Sequence, residues 1–327
     1  MKSDAANTMS TTYLEHDFQR QVYFSGMFAE FGLVGLKDAV IIHHDLIVAD
    51  WHVEGKDRVN FIFSCTKSFL SALIGIALDQ QNIPSIDQPI AEYFPELPQL
   101  NPDHRFQEIT IRHLLSMTSG IAWPPMIRAK SMYSQMIKSE NWVEFVLRRP
   151  MSCEPGTQFN YNDGGSHLLS AILTKATQLN ALTFARRYLF PYLHVAQAKW
   201  KDNHGVNLGG TGLHLRTVDM AMLGYLYLNN GRIGKDQVVS QPWVKASTQP
   251  HATGYPEWFG EYGFHWWVSS KEHNRYDDLF YALGSHGQYI FVIPAKEAIV
   301  TFRKKPGMKQ GVMLPQRILF DKVLPCL

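Results

Sequence analysis

Ser64-Cys65-Thr66-Lys67 is the only S-x-x-K in the chain. On a helix, residues three apart share one face, so this hydroxyl and this amine can come within hydrogen-bond reach. At a helix N-terminus, free backbone N–H groups and the helix dipole favour negative charge at or near the serine. A lysine on a mostly apolar helix is desolvated, which lowers its pKa toward neutrality and lets it accept a proton. The pattern is that of a serine nucleophile with an amine partner. The competing reading is a serine N-cap followed by a surface lysine.

Other chemistries have less support. The sequence contains no G-x-S-x-G elbow, no H-E-x-x-H and no C-x-x-C. His43-His44-Asp45 suggests a metal ligand set, but it falls at a turn without a spaced partner and reads as a polar hairpin tip. Cys65 adjoins the serine yet points about a third of a turn away, which favours packing. Fourteen histidines invite a Ser-His-Asp reading. His286 is the best candidate for its base, against a substrate-shaping or structural role. Trp123, Trp266, Trp267 and Tyr289 either line an acyl pocket or pack in a core.

The elements that must position Ser64 and Lys67 follow from periodicity. Ser64 to Gln80 reads as a helix apolar nearly all round, and therefore buried. Phe69 to Leu78, the longest apolar run, is broken by Ser71 and Gly75 and is too short to span a bilayer. Before it come an amphipathic helix over Tyr13 to Phe31 and two strands, Ala39 to His43 and Leu46 to Val53, with a hairpin turn at His44-Asp45. Further helices begin near Thr110, a fair N-cap, and near Asp163, and a third runs from Thr217 to Asn229 and ends at Gly231. The last third returns to strands: Tyr262 to Val268, Tyr281 to Leu283, Tyr289 to Ile293 and Ile299 to Phe302. Arg303-Lys304-Lys305 reads as a solvated strand end. Strands at both ends with helices between predict one sheet built from both termini and a helical insertion.

The bulk properties bound the function. At 327 residues the chain suits one bilobed domain or two domains. A hydrophobic fraction of 45% and a charged fraction of 18% are ordinary for a globular protein. A net charge of +2 with no long basic run calls for neither nucleic acid nor an anionic membrane. Three cysteines, Cys65, Cys153 and Cys326, leave at least one thiol free and form no disulfide framework. Met1 to Thr12 lacks the apolar stretch of a secretory signal, so a soluble, reducing, cytoplasmic setting is the expectation.

Five blocks resemble one family. Phe63 to Phe69, followed by Gly75-Ile76-Ala77-Leu78-Asp79, looks like the nucleophile helix of class C β-lactamases and their relatives. Those relatives include serine esterases, D-amino-acid-acting peptidases and aminohexanoate-oligomer hydrolases. Ile109 to Gly120 is similar to the family's helix-and-turn segment, and Pro155 to Gly165 to the region of its Y-x-N motif. Gly210-Thr211-Gly212-Leu213 to Asp219 resembles the next block. Gly284 to Ile290 falls where the family carries K-T-G or H-x-G. The blocks stand in family order over roughly residues 40 to 303, and ordered blocks are far more specific than one tetrapeptide.

The resemblance implies a penicillin-recognising serine hydrolase. Its fold would be α+β, an α/β sandwich: an antiparallel sheet flanked by helices, with an inserted, mostly helical lobe, as in β-lactamases and transpeptidases. Residues 1–80 and 205–327 would form the sheet lobe, 81–204 the helical lobe, and the site would lie between. Ser64 would be the nucleophile, Lys67 its proton partner, and Tyr161 the tyrosine of Y-x-N, able to act as base and then protonate the leaving group. Whether Lys67 or Tyr161 takes the serine proton stays open. The backbone N–H groups of Ser64 and Gln288 would form the oxyanion hole. Ser285, His286, Gly287, Tyr289 and Trp123 would shape the substrate site.

Two departures from the family pattern bear on function. Asp163 replaces its Asn, which would hold Lys67 charged and move the base role toward Tyr161. Ser285-His286-Gly287 replaces K-T-G and lacks the carboxylate-binding lysine. Hydrolysis of small esters or amides through an acyl-enzyme is therefore the expectation, with no metal or organic cofactor. The alternatives are a true β-lactamase or D-amino-acid peptidase, and a catalytically silent binding protein of the same fold.

Overall fold

His44 and Asp45 both take left-handed backbone angles, φ 49° and 61°, the twist a two-residue hairpin requires. They sit in the computed structural model, which describes residues 14–124, 131–255, 260–307, 311 and 313–327. Met1 to Thr12, and Tyr13 at the start of the expected first helix, lie outside these residues. The hairpin joins two strands of an eight-stranded sheet. Its strands in chain order are β1 (Glu15–His16), β2 (Leu36–His43), β3 (Leu46–His52), β4 (Glu261–Tyr262), β5 (Trp267–Ser269), β6 (Leu279–Gly284), β7 (Gln288–Ile293) and β8 (Ala298–Lys304). The order across the sheet is β1-β3-β2-β8-β7-β6-β5-β4, antiparallel except for the β1–β3 pair.

The sheet is covered on both faces, so its central strands read as continuous apolar runs rather than alternating ones. Ile290, Val292 and Ile299 face one core, together with helices α2 (Thr66–Asp79) and α5 (Thr217–Leu228). Tyr289, Phe291, Val300 and Phe302 face the other, with α1 (Phe18–Gly32) and the C-terminal helix Leu314–Ile318. Within α1, Phe24 and Phe28 are buried while Phe18 and Val22 are exposed. The first core continues into the helices between residues 81 and 204, including α3 (Ile111–Leu115) and α4 (Asp163–Thr177). Thr110 caps α3 in a capping box with His113. The α+β class and the mostly antiparallel sheet agree with the expectation. Among the described residues no helix is long and apolar enough to cross a membrane.

Three expectations need correction. The first helix begins only at Phe18, because Glu15–His16 pairs as a strand with Leu46 and Ile47 and Asp17 caps the helix. Tyr262 to Val268 is not one strand: β4 and β5 are short arms of a tight reversal in which His265 takes φ 61°. Arg303 and Lys304 are not solvated, being 2% and 3% exposed. Arg303 is buried because every side of its guanidinium finds an acceptor. It donates to Asp38 Oδ2 at 2.9 Å, Asp57 Oδ1 at 3.1 Å and the carbonyls of Leu215 and Arg58. Asp57 in turn accepts the N–H groups of Thr217 and Val218, capping α5 from a distant loop. His52 bridges Asp38 and Asp50, each at 2.8 Å. Asp38, His52 and Asp57 are spaced closely enough to hold a metal ion, but a guanidinium already bonds both carboxylates.

Candidate active site

The nucleophile turn is a single 3₁₀ turn, Phe63–Cys65, that runs into α2. Phe63 enters it with φ 51°, a left-handed conformation that is strained for a bulky residue. The β6–β7 hairpin lies directly against this turn. A Cβ on Gly284 would come within 2.6 Å of the Ile62 carbonyl, so glycine is required for the approach. Cys65 Sγ donates to the Gln288 carbonyl at 3.5 Å, which places Gln288 beside the turn. Burial pushes the Cys65 thiol pKa up, in keeping with packing.

Lys67 is 1% exposed. Its ammonium donates to Asp163 Oδ1 at 2.6 Å, the Gly210 carbonyl at 2.8 Å and Ser64 Oγ at 3.2 Å. An ammonium has three protons, and these three acceptors share them with the Tyr161 phenol. The Tyr161 ring closes a further side, its centroid 4.6 Å from Nζ. Asp163 reaches the lysine because it opens α4, whose N-cap is Asn162, with Oδ1 accepting from Gly165 N at 3.0 Å. A side chain at Gly210 would sit 2.7 Å from the Asp163 carboxylate oxygen, which is why that loop carries glycine.

The charges set the protonation states. Burial works to lower the Lys67 pKa, but the Asp163 carboxylate and Tyr161 outweigh it, and the net direction is upward. A lysine poised near neutrality is therefore not found; the effect expected of Asp163 is. Burial raises the Tyr161 pKa, and the pull of Lys67, with hydrogen bonds to Ser64 and Lys67, only partly offsets it. The resting centre thus sets an ammonium beside a neutral phenol. The Tyr161 ring stacks on Trp267, with centroids 6.0 Å apart and planes at 15°, and meets Tyr262 edge-on. Tyr133, from the short helix Met132–Met136, feels the charges of Asp163 and Lys67 as well.

Other expected site residues are distributed unevenly. Ser285, His286 and Gly287 form the β6–β7 turn, with Ser285 and His286 exposed and φ 68° at His286. The His286 ring meets Phe63 edge-on at 5.1 Å. Trp123 is 5% exposed and packs beneath Gly164, supporting the first turn of α4 from behind. Tyr289 is not brought to the site: one residue beyond Gln288, it turns to the opposite face and stacks on Phe291 in the second core. Trp266 packs in the first core against Tyr227.

Sequence reasoning missed His265. Its Nδ1–H donates to the Lys67 carbonyl at 3.2 Å, and Nε2 lies 3.2 Å from Ser166 Oγ. Its own carbonyl accepts from Ser68 Oγ, and its N–H bonds the Leu115 carbonyl. One buried, neutral imidazole, its pKa pushed down by burial to about 3, thereby ties the first turns of α2 and α4 together. Lying inside what reads as a strand, it gave no periodic signal.

With this geometry established, the sequence matches the profile of the family described as Beta-lactamase over residues 32–308. The chain belongs to the beta-lactamase family. That membership makes it a beta-lactamase-related hydrolase. It is 21% identical to the 6-aminohexanoate-dimer hydrolase of Paenarthrobacter ureafaciens, over 87% of this chain and 78% of that protein. Among solved structures, EstCE1, a hydrolase with promiscuous acyltransferase activity, aligns with a TM-score of 0.74 at 15% identity, over 92% of this chain and 97% of that one. The octameric penicillin-binding protein homologue from Pyrococcus abyssi aligns with a TM-score of 0.69 at 20% identity, over 94% of this chain and 79% of that one.

Proposed function

We propose that the chain hydrolyses small esters or amides through an acyl-enzyme on Ser64. The observation that carries this reading is the Ser64–Lys67–Asp163 chain of contacts with the Tyr161 phenol bonded to both Ser64 and Lys67. Ser64 Oγ attacks the scissile carbonyl, and the oxyanion forms against the backbone N–H groups of Ser64 and Gln288. Lys67, held charged, cannot take the serine proton. Tyr161 acts instead as a relay, accepting that proton while passing its own to the leaving alcohol or amine. In deacylation water takes the leaving group's place and the relay runs in reverse.

The cleft would lie between a sheet lobe, residues 1–80 and 205–327, and a helical lobe, residues 81–204. Ser285-His286-Gly287 contains no lysine or arginine for a substrate carboxylate, which favours esters and amides over β-lactams and D-peptides. The relative named as a 6-aminohexanoate-dimer hydrolase adds weight to amides.

Treatment with a fluorophosphonate followed by intact-mass analysis tests the reading. One adduct is expected, mapping to Ser64 and absent from Ser64→Ala. That variant should lose about 10³- to 10⁶-fold in turnover of p-nitrophenyl butyrate at an unchanged urea midpoint. Faster turnover of a chromogenic cephalosporin than of the ester would favour the β-lactamase reading. No adduct in the wild type would favour a silent binding protein.

A further inference from the structure

Phe61 and Phe63 are half-buried, yet neither packs against the two hydrophobic cores that hold most other large apolar side chains of the described residues. Their rings are 4.3 Å apart. Phe61 is the cross-strand partner of His214 in a small sheet where strand Asn60–Phe61 pairs with Leu213–Leu215, and those two rings are 5.1 Å apart. At the other end, Phe63 meets His286. His214, Phe61, Phe63 and His286 therefore form one continuous band of rings, and Phe63 within it is peptide-bonded to the nucleophile Ser64. The Nδ1–H of His214 donates to the Gly212 carbonyl at 3.1 Å, which fixes that ring in place. The left-handed backbone at Phe63 is a conformational cost that serves neither core.

We propose that this band is the acyl-chain subsite, and that it selects aryl or medium-length apolar acyl groups. The inference rests on the acyl-enzyme reading above and extends it to a substrate class. In the relay the leaving group must lie beside the Tyr161 phenol, whose ring belongs to a separate cluster with Trp267 and Tyr262. The acyl group, bonded to Ser64 Oγ with its oxygen toward Gln288, then extends along the side where Phe63 and His286 meet. Burying several methylenes or a phenyl ring on exposed aromatic faces is the contact such a ledge provides. It offers no ammonium or guanidinium group to an anionic acyl chain.

A series of p-nitrophenyl esters holds the leaving group constant and varies only the acyl part: acetate, butyrate, hexanoate, octanoate and benzoate. In the wild type kcat/KM should rise from acetate to hexanoate and benzoate. In Phe61→Ala that rise should shrink about five- to tenfold, while acetate turnover and the fluorophosphonate labelling rate stay within about twofold. Phe61→Leu should keep the alkyl preference and weaken the benzoate preference. The same acyl profile in wild type and Phe61→Ala would overturn the proposal, as would an equal loss for acetate and hexanoate. A wild type that takes the label and turns over acetate but shows no acyl preference overturns the subsite alone. A wild type that neither labels nor turns over any ester overturns the hydrolase reading and the subsite with it.

Discussion

Two buried cations in this molecule are each held by carboxylates, and they do opposite things. Arg303 joins β8 to Asp38, Asp57 and two carbonyls; its charge is permanent and each nitrogen of its planar fork has an acceptor. Lys67 is equally buried, but one of its contacts is the hydroxyl of Ser64 rather than a carbonyl or carboxylate. Arg303 therefore ends in carboxylates and carbonyls, while Lys67 ends in a nucleophile with a phenol beside it. Burial and pairing alone do not mark an active site. What marks it is a reactive group among the cation's partners.

Exchanging the cations should break this contrast most visibly. Lys67→Arg places a fixed fork where a compact ammonium sits and should lower kcat by about 10²- to 10⁴-fold. Arg303→Lys offers three donors to a larger set of acceptors and should cost about 2–3 kcal/mol in urea unfolding, with kcat preserved in the folded fraction. If Arg303→Lys abolished turnover in fully folded protein, the two centres would not be separable as drawn. Asp163→Asn sharpens the comparison from the other side. Without the carboxylate, burial dominates Lys67 and its pKa falls. The alkaline limb of the kcat/KM profile should move down by about 1–3 pH units. An unmoved limb would show that Lys67 does not need its charge.

A smaller loss is expected at His265, which touches neither substrate nor proton. His265→Asn keeps the left-handed turn but cannot reach both the Lys67 carbonyl and Ser166. Slight misplacement of α2 against α4 should reduce kcat by about 10- to 100-fold. A mere packing role would lower the melting temperature and leave the pH profile unchanged. A positioning role predicts an altered alkaline limb as well, because the Lys67–Asp163 distance sets that pKa.

Much of this was legible in the chain itself. The i, i+3 spacing of Ser64 and Lys67, the apolar α2 and the hairpin at His44-Asp45 are local signals, and each appears where local rules place it. Asp163 was legible as a departure from a motif, and its effect on Lys67 follows from charge alone. What stayed hidden depends on partners far away in sequence. Arg303 reads as solvated until Asp38 and Asp57 are known to face it. His265 lies in an apolar, aromatic run whose periodicity suggests a strand, and only the fold shows that Phe264 and His265 turn back onto α2. Tyr289 fails for a different reason: alternation along β7 sends neighbouring residues to opposite faces, so closeness in sequence to Gln288 implied the wrong side.

The Arg303 centre also carries a titration of its own. Burial opposes protonation of His52, but its bonds to Asp38 and Asp50 prevail and raise its pKa from 6.5 to about 9. A folded-state pKa above the unfolded value means that the folded protein holds the proton more tightly. The stabilisation is complete below about pH 6.5 and is lost as pH rises through about 9. After allowance for partial screening, the contribution is on the order of 2 kcal/mol. Urea midpoints measured between pH 6 and 10 should therefore decline across that window in the wild type. In His52→Gln the stability should be lower at pH 6 and the decline shallower. The Lys67 centre should not contribute to this slope, since its lysine and its tyrosine both titrate above their ordinary values of 10.5 and 10.0. A slope unchanged by His52→Gln and removed by Asp163→Asn would reverse the assignment of the two buried cations to fold and to chemistry.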